Sequence, residues 1–250
     1  MFQIKSIYQA QREQDAIERH LARAVQAAAQ GDFSQRVDAA ALPPHLHGTA
    51  AAVNQLIDTV AQMRLDLSRM HAEHDKGDID VVIDASRYRG ELRQMAQGIN
   101  DLVAAHIAVK KMAISVVHEF GQGNFDAPMP QLPGKKAFIN RTIEQVRGNL
   151  KALVEDTRTL ADAASDGRLD VRADAARHAG DFRRIIEGIN NTMDAIVEPI
   201  QEVQQVMACM EAGDMTRPVQ GHYAGSFAEL KDAVNNTMTK LSRTISDVMA

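Results

Sequence analysis

Residues 210–219 read MEAGDMTRPV: an apolar helical run, a Gly-Asp pair, one apolar residue, and a second apolar residue just past a proline. Alone, this is an ordinary helix exit. Versions of it occur five times, anchored on Gly31-Asp32-Phe33, Gly77-Asp78-Ile79, Gly123-Asn124-Phe125, Gly167-Arg168-Leu169 and Gly213-Asp214-Met215. Successive glycines are 46, 46, 44 and 46 residues apart. Four residues after each apolar anchor stands another residue that can be buried: Val37, Ile83, Met129, Ala173 and Val219, of which Ala173 is the weak member. Self-similarity at a fixed period marks a repeat architecture, in which one supersecondary unit is stacked several times.

A second landmark keeps the same register. Asn54, Asn100, Asn190 and Asn235 fall 22 or 23 residues after their glycines, each preceded by Val or Ile: Val53, Ile99, Ile189 and Val234. In the third copy Glu144 fills the slot, and the connector is two residues shorter. An asparagine here either sets register as a polar residue beside a coiled-coil seam or sits on a partly exposed flank.

Between connectors the apolar residues are spaced 3 or 4 apart. The last copy shows it best, with Phe227, Leu230, Val234, Met238, Leu241, Ile245 and Val248. The fourth has Phe182, Ile185, Ile189, Met193 and Ile196, and the second has Leu92, Met95, Ile99 and Leu102. A stripe this narrow is a coiled-coil seam rather than the face of a globular core. The breakers lie in the connectors, among them Pro43-Pro44, Gly90, Pro128, Pro133-Gly134, Gly180, Pro218 and Gly225. Each glycine of the Gly-polar pair stands where a helix C-cap needs a left-handed residue.

The connectors are long for helix–helix links, which normally take 2–8 residues. From Gly77 to Gly90 is 13 residues, enough to cover ~43 Å when extended, against ~23 Å for a ~15-residue helix. Such a connector can run back along the first helix and start the second parallel to it. Paired residues such as Phe33 and Val37 would pin it in the groove between the helices. Two short parallel helices cannot bury their seams alone, so a second chain is expected to complete a parallel four-helix bundle.

Composition excludes several alternatives. The net charge of −5 and the pI near 6.0 offer no basic footprint for nucleic acid. Aromatic residues are 4%, with no Trp, which argues against deep aromatic-lined pockets. The single Cys209 excludes an internal disulfide and a cysteine-rich zinc site. No apolar run approaches the ~18 residues of a membrane span, and the chain reads as soluble and cytoplasmic. His71 with His74, and His45 with His47, lack metal-site spacing and read as solvated. His118-Glu119 runs into a connector, not a continuing helix, and is no phosphoacceptor box. Neither LPGKKAF (132–138) nor Gly121-Gln122-Gly123 has the context of a phosphate loop or dinucleotide turn. No constellation supports an enzyme, a metal or a cofactor.

A helix, Gly-Asp-apolar, three residues, apolar, a turn, then a helix reaching an apolar-Asn step resembles the HAMP signalling module. The matching stretches are GDMTRPVQGHYAGSFAELKDAVNNTM (213–238) and GRLDVRADAARHAGDFRRIIEGINNTM (167–193), with weaker copies upstream. Residues 98–136, GINDLVAAHIAVKKMAISVVHEFGQGNFDAPMPQLPGKK, resemble the fused pair of soluble, haem-PAS-containing poly-HAMP chemoreceptors. The resemblance implies an all-α fold of tandem modules: parallel four-helix coiled-coil bundles formed by a homodimer and stacked end to end through continuous helices. It implies a relay without enzymatic activity, between an upstream sensor and a downstream kinase-control module of the same polypeptide. A relay in a sensor histidine kinase or cyclase, and a helical-repeat scaffold that binds partners, are the alternatives. The expected modules cover 8–60, 61–106, 107–152, 153–197 and 198–243, with 244–250 opening a further module or an output stalk.

The acid that the resemblance places near the start of the second helix is present as Glu91 and Asp181, and is displaced or absent in copies one, three and five. The proline expected early in the first helix occurs only as Pro199. It either opens the fifth module's first helix, where its missing N–H is harmless, or breaks rigidity between modules four and five. The residues expected to carry the signal are therefore the five glycines, the anchor pairs, Glu91, Asp181, Pro199, and the apolar residues before the asparagines, Ile99, Ile189 and Val234.

Overall fold

The computed structural model of the protein describes residues 2–249, and every regular element among them is helical. The chain packs as two units, one reaching to Met112 and one starting at Ala113. The first unit opens with α1 (Phe2–Ala16), a π-helical stretch (Ile17–Ala22) and α2 (Arg23–Ala29), which follow one another without a break. It continues with α3 (His47–Asp75) and the start of α4 (Gly90–Gly121). The second unit contains the end of α4, then α5 (Ala137–Ser165), α6 (Gly180–Glu211) and α7 (Ser226–Met249).

Helices α3 to α6 have 29, 32, 29 and 32 residues, or ~44–48 Å at 1.5 Å per residue. Each runs from the end of one connector to the glycine of the next, so the second helix of one repeat and the first of its successor are one rod. Alanine, which gives up no side-chain freedom in a helix, is the commonest residue in them. Pro199 is the opposite case. It lies inside α6 and is fully buried, so it does not open a helix. A proline removes one backbone bond and crowds the preceding turn, yet here the turns on both sides continue and its ring is packed away.

All five repeats end their first helix in the same way. The N–H of the residue after the glycine reaches the carbonyl five residues back: Asp32 to Ala27, Asp78 to Glu73, Asn124 to Glu119, Arg168 to Ala163 and Asp214 to Cys209, all at 2.9–3.0 Å. The glycine N–H closes a second bond three residues back, as in Gly77 to His74 at 2.9 Å. This paired closure is the Schellman motif, and it requires positive φ at the glycine. Gly77 has φ 99° and Gly213 has φ 86°.

Each connector then returns along the helix it has left. In the second repeat, Tyr88 lies against Asp66, which is eleven residues before Gly77 and so ~17 Å up the helix. The next helix begins at Gly90, beside the middle of α3, and the two run parallel. The cores are accordingly local. Ala24, Val37, Leu42, Ala50 and Ile57 form one; Met63, Met70, Ile83, Tyr88 and Ala96 form the next. In the second unit Val116, Phe120 and Ile143 form a third, and Val206, Val219 and Met238 a fourth.

Candidate signalling site: the connector and its anchors

The connector carries its own local order. The polar residue after the glycine makes an Asx turn: Asp32 Oδ1 accepts from the Ser34 N–H (2.9 Å) and hydroxyl (2.6 Å), and Asp214 does the same with the Thr216 N–H at 3.0 Å and its hydroxyl. These bonds from the neighbouring hydroxyl hold the Asp32 and Asp214 carboxyls below the usual range. Arg168 cannot make this turn and pairs with Asp166 at 3.0 Å instead.

The second anchor is where the connector is driven into the core. Ile83 and Val219 are each 1% exposed, and Val37 is buried. Burying such a side chain contributes roughly 1.5–3 kcal/mol. Ala173 and Met129 are only half-buried, and in the third repeat Ala127 is the buried residue of the connector. The first anchors stand further out. Phe33, Phe125, Leu169 and Met215 are half-buried, and Ile79 is 38% exposed.

Burying an anchor also buries its peptide groups, which need partners. The repeat asparagines supply them. Asn100 Oδ1 accepts from the Ile83 N–H at 3.0 Å, and Asn100 Nδ2 donates to the Ile83 carbonyl at 2.7 Å. Asn54 holds Val37 (2.8 and 2.9 Å), Asn190 holds Ala173 (3.1 and 2.8 Å) and Asn235 holds Val219 (2.9 and 3.1 Å). The asparagine therefore stands on a partly exposed flank and grips the connector backbone from there. It is a primary amide, with one acceptor and one donor group at the spacing of an extended residue's N–H and C=O. The third repeat uses Asn140, one turn earlier than the slot of Glu144, to hold the Leu132 N–H and the Pro130 carbonyl, both at 2.9 Å. The shorter connector was the available signal for this shift.

A second set of ties differs between repeats. Arg36 donates to Asp58 (2.8 Å) and to the carbonyls of Phe33 and Gln35, and Arg172 repeats this with Asp194 (2.8 Å), Leu169 and Val171. In the third repeat Arg147 donates to the carbonyls of Phe125 and Ala127 and lies 5.1 Å from the Phe120 ring centroid. Tyr88 is buried and donates to Asp66 at 2.7 Å; burial first, and the carboxylate second, push its hydroxyl up to about 12. Tyr223 donates to Glu202, which pushes it to about 12 as well and holds the Glu202 carboxyl low. His74, read as solvated, is half-buried with Nε2 2.8 Å from the Val81 carbonyl.

Glu91 and Asp181 occupy the first turns of α4 and α6, where a negative charge suits the helix dipole, and both are exposed. Ile99, Ile189 and Val234 are half-buried, and Ile99 and Val234 pack against the cores that hold Ile83 and Val219. No helix among the described residues is long and apolar enough to cross a membrane.

Comparison with known proteins places three family models on the chain. Residues 57–105 match the second HAMP domain of the methyl-accepting chemotaxis protein McpB, residues 109–151 match HAMP N-terminal domain 3, and residues 177–243 match the HAMP domain. The methyl-accepting chemotaxis protein McpB of Pseudomonas aeruginosa is 44% identical over 114 residues, which are 45% of this chain and 17% of that protein. The chain thus spans well under a fifth of the length of the relative it matches. The second, third and fifth connectors, each closed by a Schellman glycine and held by an asparagine, lie within these matched stretches, and the chain belongs to the HAMP domain family as a tandem array.

Proposed function

We infer that this array is the relay segment of a chemoreceptor, working as a parallel homodimer that carries changes of helix packing from a sensor to a kinase-control module. One observation carries the reading. Large apolar side chains at seam spacing stay open in the single chain: Met95, Leu102 (60% exposed), Ile185, Leu230 and Leu241. Exposed apolar rows of this kind mark interaction surfaces. A second copy, with its two helices per module also parallel, would close four helices around them.

The mechanism follows from the shared rods. A helix that belongs to two modules cannot turn in one without turning its seam in the other. Repeat spacings of 46 and 44 are not multiples of seven, so the winding must adjust between modules. An input biases such an array only by the difference in its free energy for two packings. One repacked layer, at roughly 1.5–3 kcal/mol per buried side chain, is enough to tilt a gap of a few kcal/mol. The similarity to a methyl-accepting chemotaxis protein supports a chemotaxis output and a cytoplasmic setting. The five-module division at 8–60, 61–106, 107–152, 153–197 and 198–243 belongs to the same reading.

The test is the mass of the chain in solution over a wide dilution range, with cross-linking of Ile99→Cys and Ile189→Cys in a Cys209→Ser background. A mass twice 27.4 kDa with disulfides at both positions is expected. A folded, helical monomer would overturn the reading.

A further inference from the structure

Acids recur at one position of the first helix, where none is needed to make a bundle. Asp66, Asp156 and Glu202 each stand eleven residues before their connector glycines, Gly77, Gly167 and Gly213. Asp66 is 5% exposed and accepts from the Tyr88 hydroxyl (2.7 Å), Arg87 (3.0 Å) and Gln62 (3.0 Å). Asp156 is buried as well, with His178 Nε2 at 2.6 Å and Arg177 at 3.3 Å. Glu202 accepts from the N–H groups of Gln220 (2.7 Å) and Gly221 (3.1 Å) and from the Tyr223 hydroxyl. Apart from Gln62, the partners lie in the second half of the connector: Arg87, Tyr88, Arg177, His178 and Tyr223 within three residues of the next helix, Gln220 and Gly221 a little earlier.

Repeats one and three have His20 and Met112 at this position. Their connectors end instead on Leu42, which is buried, and Leu132, which is half-buried. The distinction matters physically. A packed leucine can slide along an apolar groove at little loss, whereas a buried carboxylate such as Asp66 or Asp156 cannot shift without leaving a charge unpaired in a dry site, and the half-buried Glu202 cannot shift without losing its three directed donors. Gly221 shows how closely the fit is drawn. A Cβ built on it would lie 2.4 Å from the Tyr223 ring and 2.6 Å from Glu202 Oε2.

We propose that Asp66, Asp156 and Glu202 are positioning residues of the relay: each latches the end of its connector to the first helix, so that repeats two, four and five hold one packing while repeats one and three are free to change. The proposal rests on the relay reading above. An unlatched repeat two no longer resists the rod that it shares with repeat three, so the effect of losing Asp66 is felt beyond its own connector.

The experiment uses the full chain in a Cys209→Ser background with Ile114→Cys, an exposed position of α4 that belongs to the third repeat. Asp66→Asn is compared with Asp66→Glu, since repeat five uses Glu, and with Tyr88→Phe, which keeps the carboxylate and its Arg87 pair. Amide exchange is read over residues 79–89, and the rate of disulfide formation between copies at position 114. Asp66→Asn is expected to raise connector exchange about tenfold, the scale of one lost buried bond, and to change the cross-linking rate at 114 several-fold. Asp66→Glu restores both, and Tyr88→Phe falls between. In repeat five, Gly221→Ala displaces the connector with Glu202 intact and raises exchange over residues 215–224. Unchanged connector exchange would overturn the latch. Raised exchange with an unchanged rate at 114 would reduce it to local structure and overturn its role in the relay. A monomeric parent chain, seen in its mass, would instead remove the relay reading itself while leaving the exchange result in place.

Discussion

Asn100 shows what a single side chain does here. It satisfies both peptide groups of Ile83, a residue 1% exposed, and among the described residues no other group bonds to them. Asn100→Ala is expected to lower the free energy of opening the second connector by roughly 1–3 kcal/mol, the penalty for stranding buried polar groups. Native-state amide exchange of Ile83 measures this directly, which suits a repeat array better than a single global transition. Tyr88 supplies a test by titration. Its folded value, about 12, lies above the ordinary value of 10.0. The neutral phenol therefore stabilises the fold fully below pH 10, and that contribution is lost as pH rises through 12. A tyrosinate absorbance titration should show two late groups, Tyr88 and Tyr223, and Tyr88→Phe should remove one of them. The asparagines were visible in the sequence as landmarks, but their partners, 16 or 17 residues away, were not.

At the scale of an element, one substitution has opposite expected signs at two glycines. Gly77 closes the Schellman turn at φ 99°, where a Cβ is strained, so Gly77→Ala is expected to cost about 1–2 kcal/mol. Gly98 sits in the helical interior of α4 with open space around it. Gly98→Ala is expected to stabilise that helix by about 0.8–1.0 kcal/mol. Amide exchange of residues 72–80 and 94–102 checks the pair. Helix starts and ends were legible because glycine and proline act locally. Pro199 was not, because whether a proline opens a helix or sits within one depends on whether neighbouring turns and packing hold the helix through it. The π-helical stretch at Ile17–Ala22 also left no mark in the apolar spacing.

At the scale of the molecule, the seam is divided between two tasks. Ala96 and Met238 pack in the cores that hold Ile83 and Val219 and Ile186 is fully buried, while Met95, Leu102, Ile185 and Leu241 remain open. The 3-4 stripe read from the sequence holds Met238 together with the open set and passes over Ala96 and Ile186, since neighbours on one helix face differ by only a fraction of a turn. If the open set faces a second copy, Leu102→Asp with Ile185→Asp places two charges per chain in the bundle interior. Sedimentation should then show association weakened by at least about a hundredfold, the equivalent of roughly 3 kcal/mol, while the connector cores around Ile83 and Val219 keep their exchange protection. Loss of helicity without a change of mass would count against that interface.

By itself the sequence determined the repeat, its helices, the Schellman glycines and the length that turns each connector back along its helix. These are properties of local backbone preference and apolar period, and they are written within a few residues of where they act. Only the tertiary structure decided that Asn100 and its counterparts grip a connector backbone, that Asn140 replaces the Glu144 slot, and that Asp66, Asp156 and Glu202 hold the connector's far end. A polar side chain declares its chemistry in the sequence, but not its partner. The partner is set when burial of Ile83 and Val219 brings peptide groups out of water and leaves them to the nearest amide.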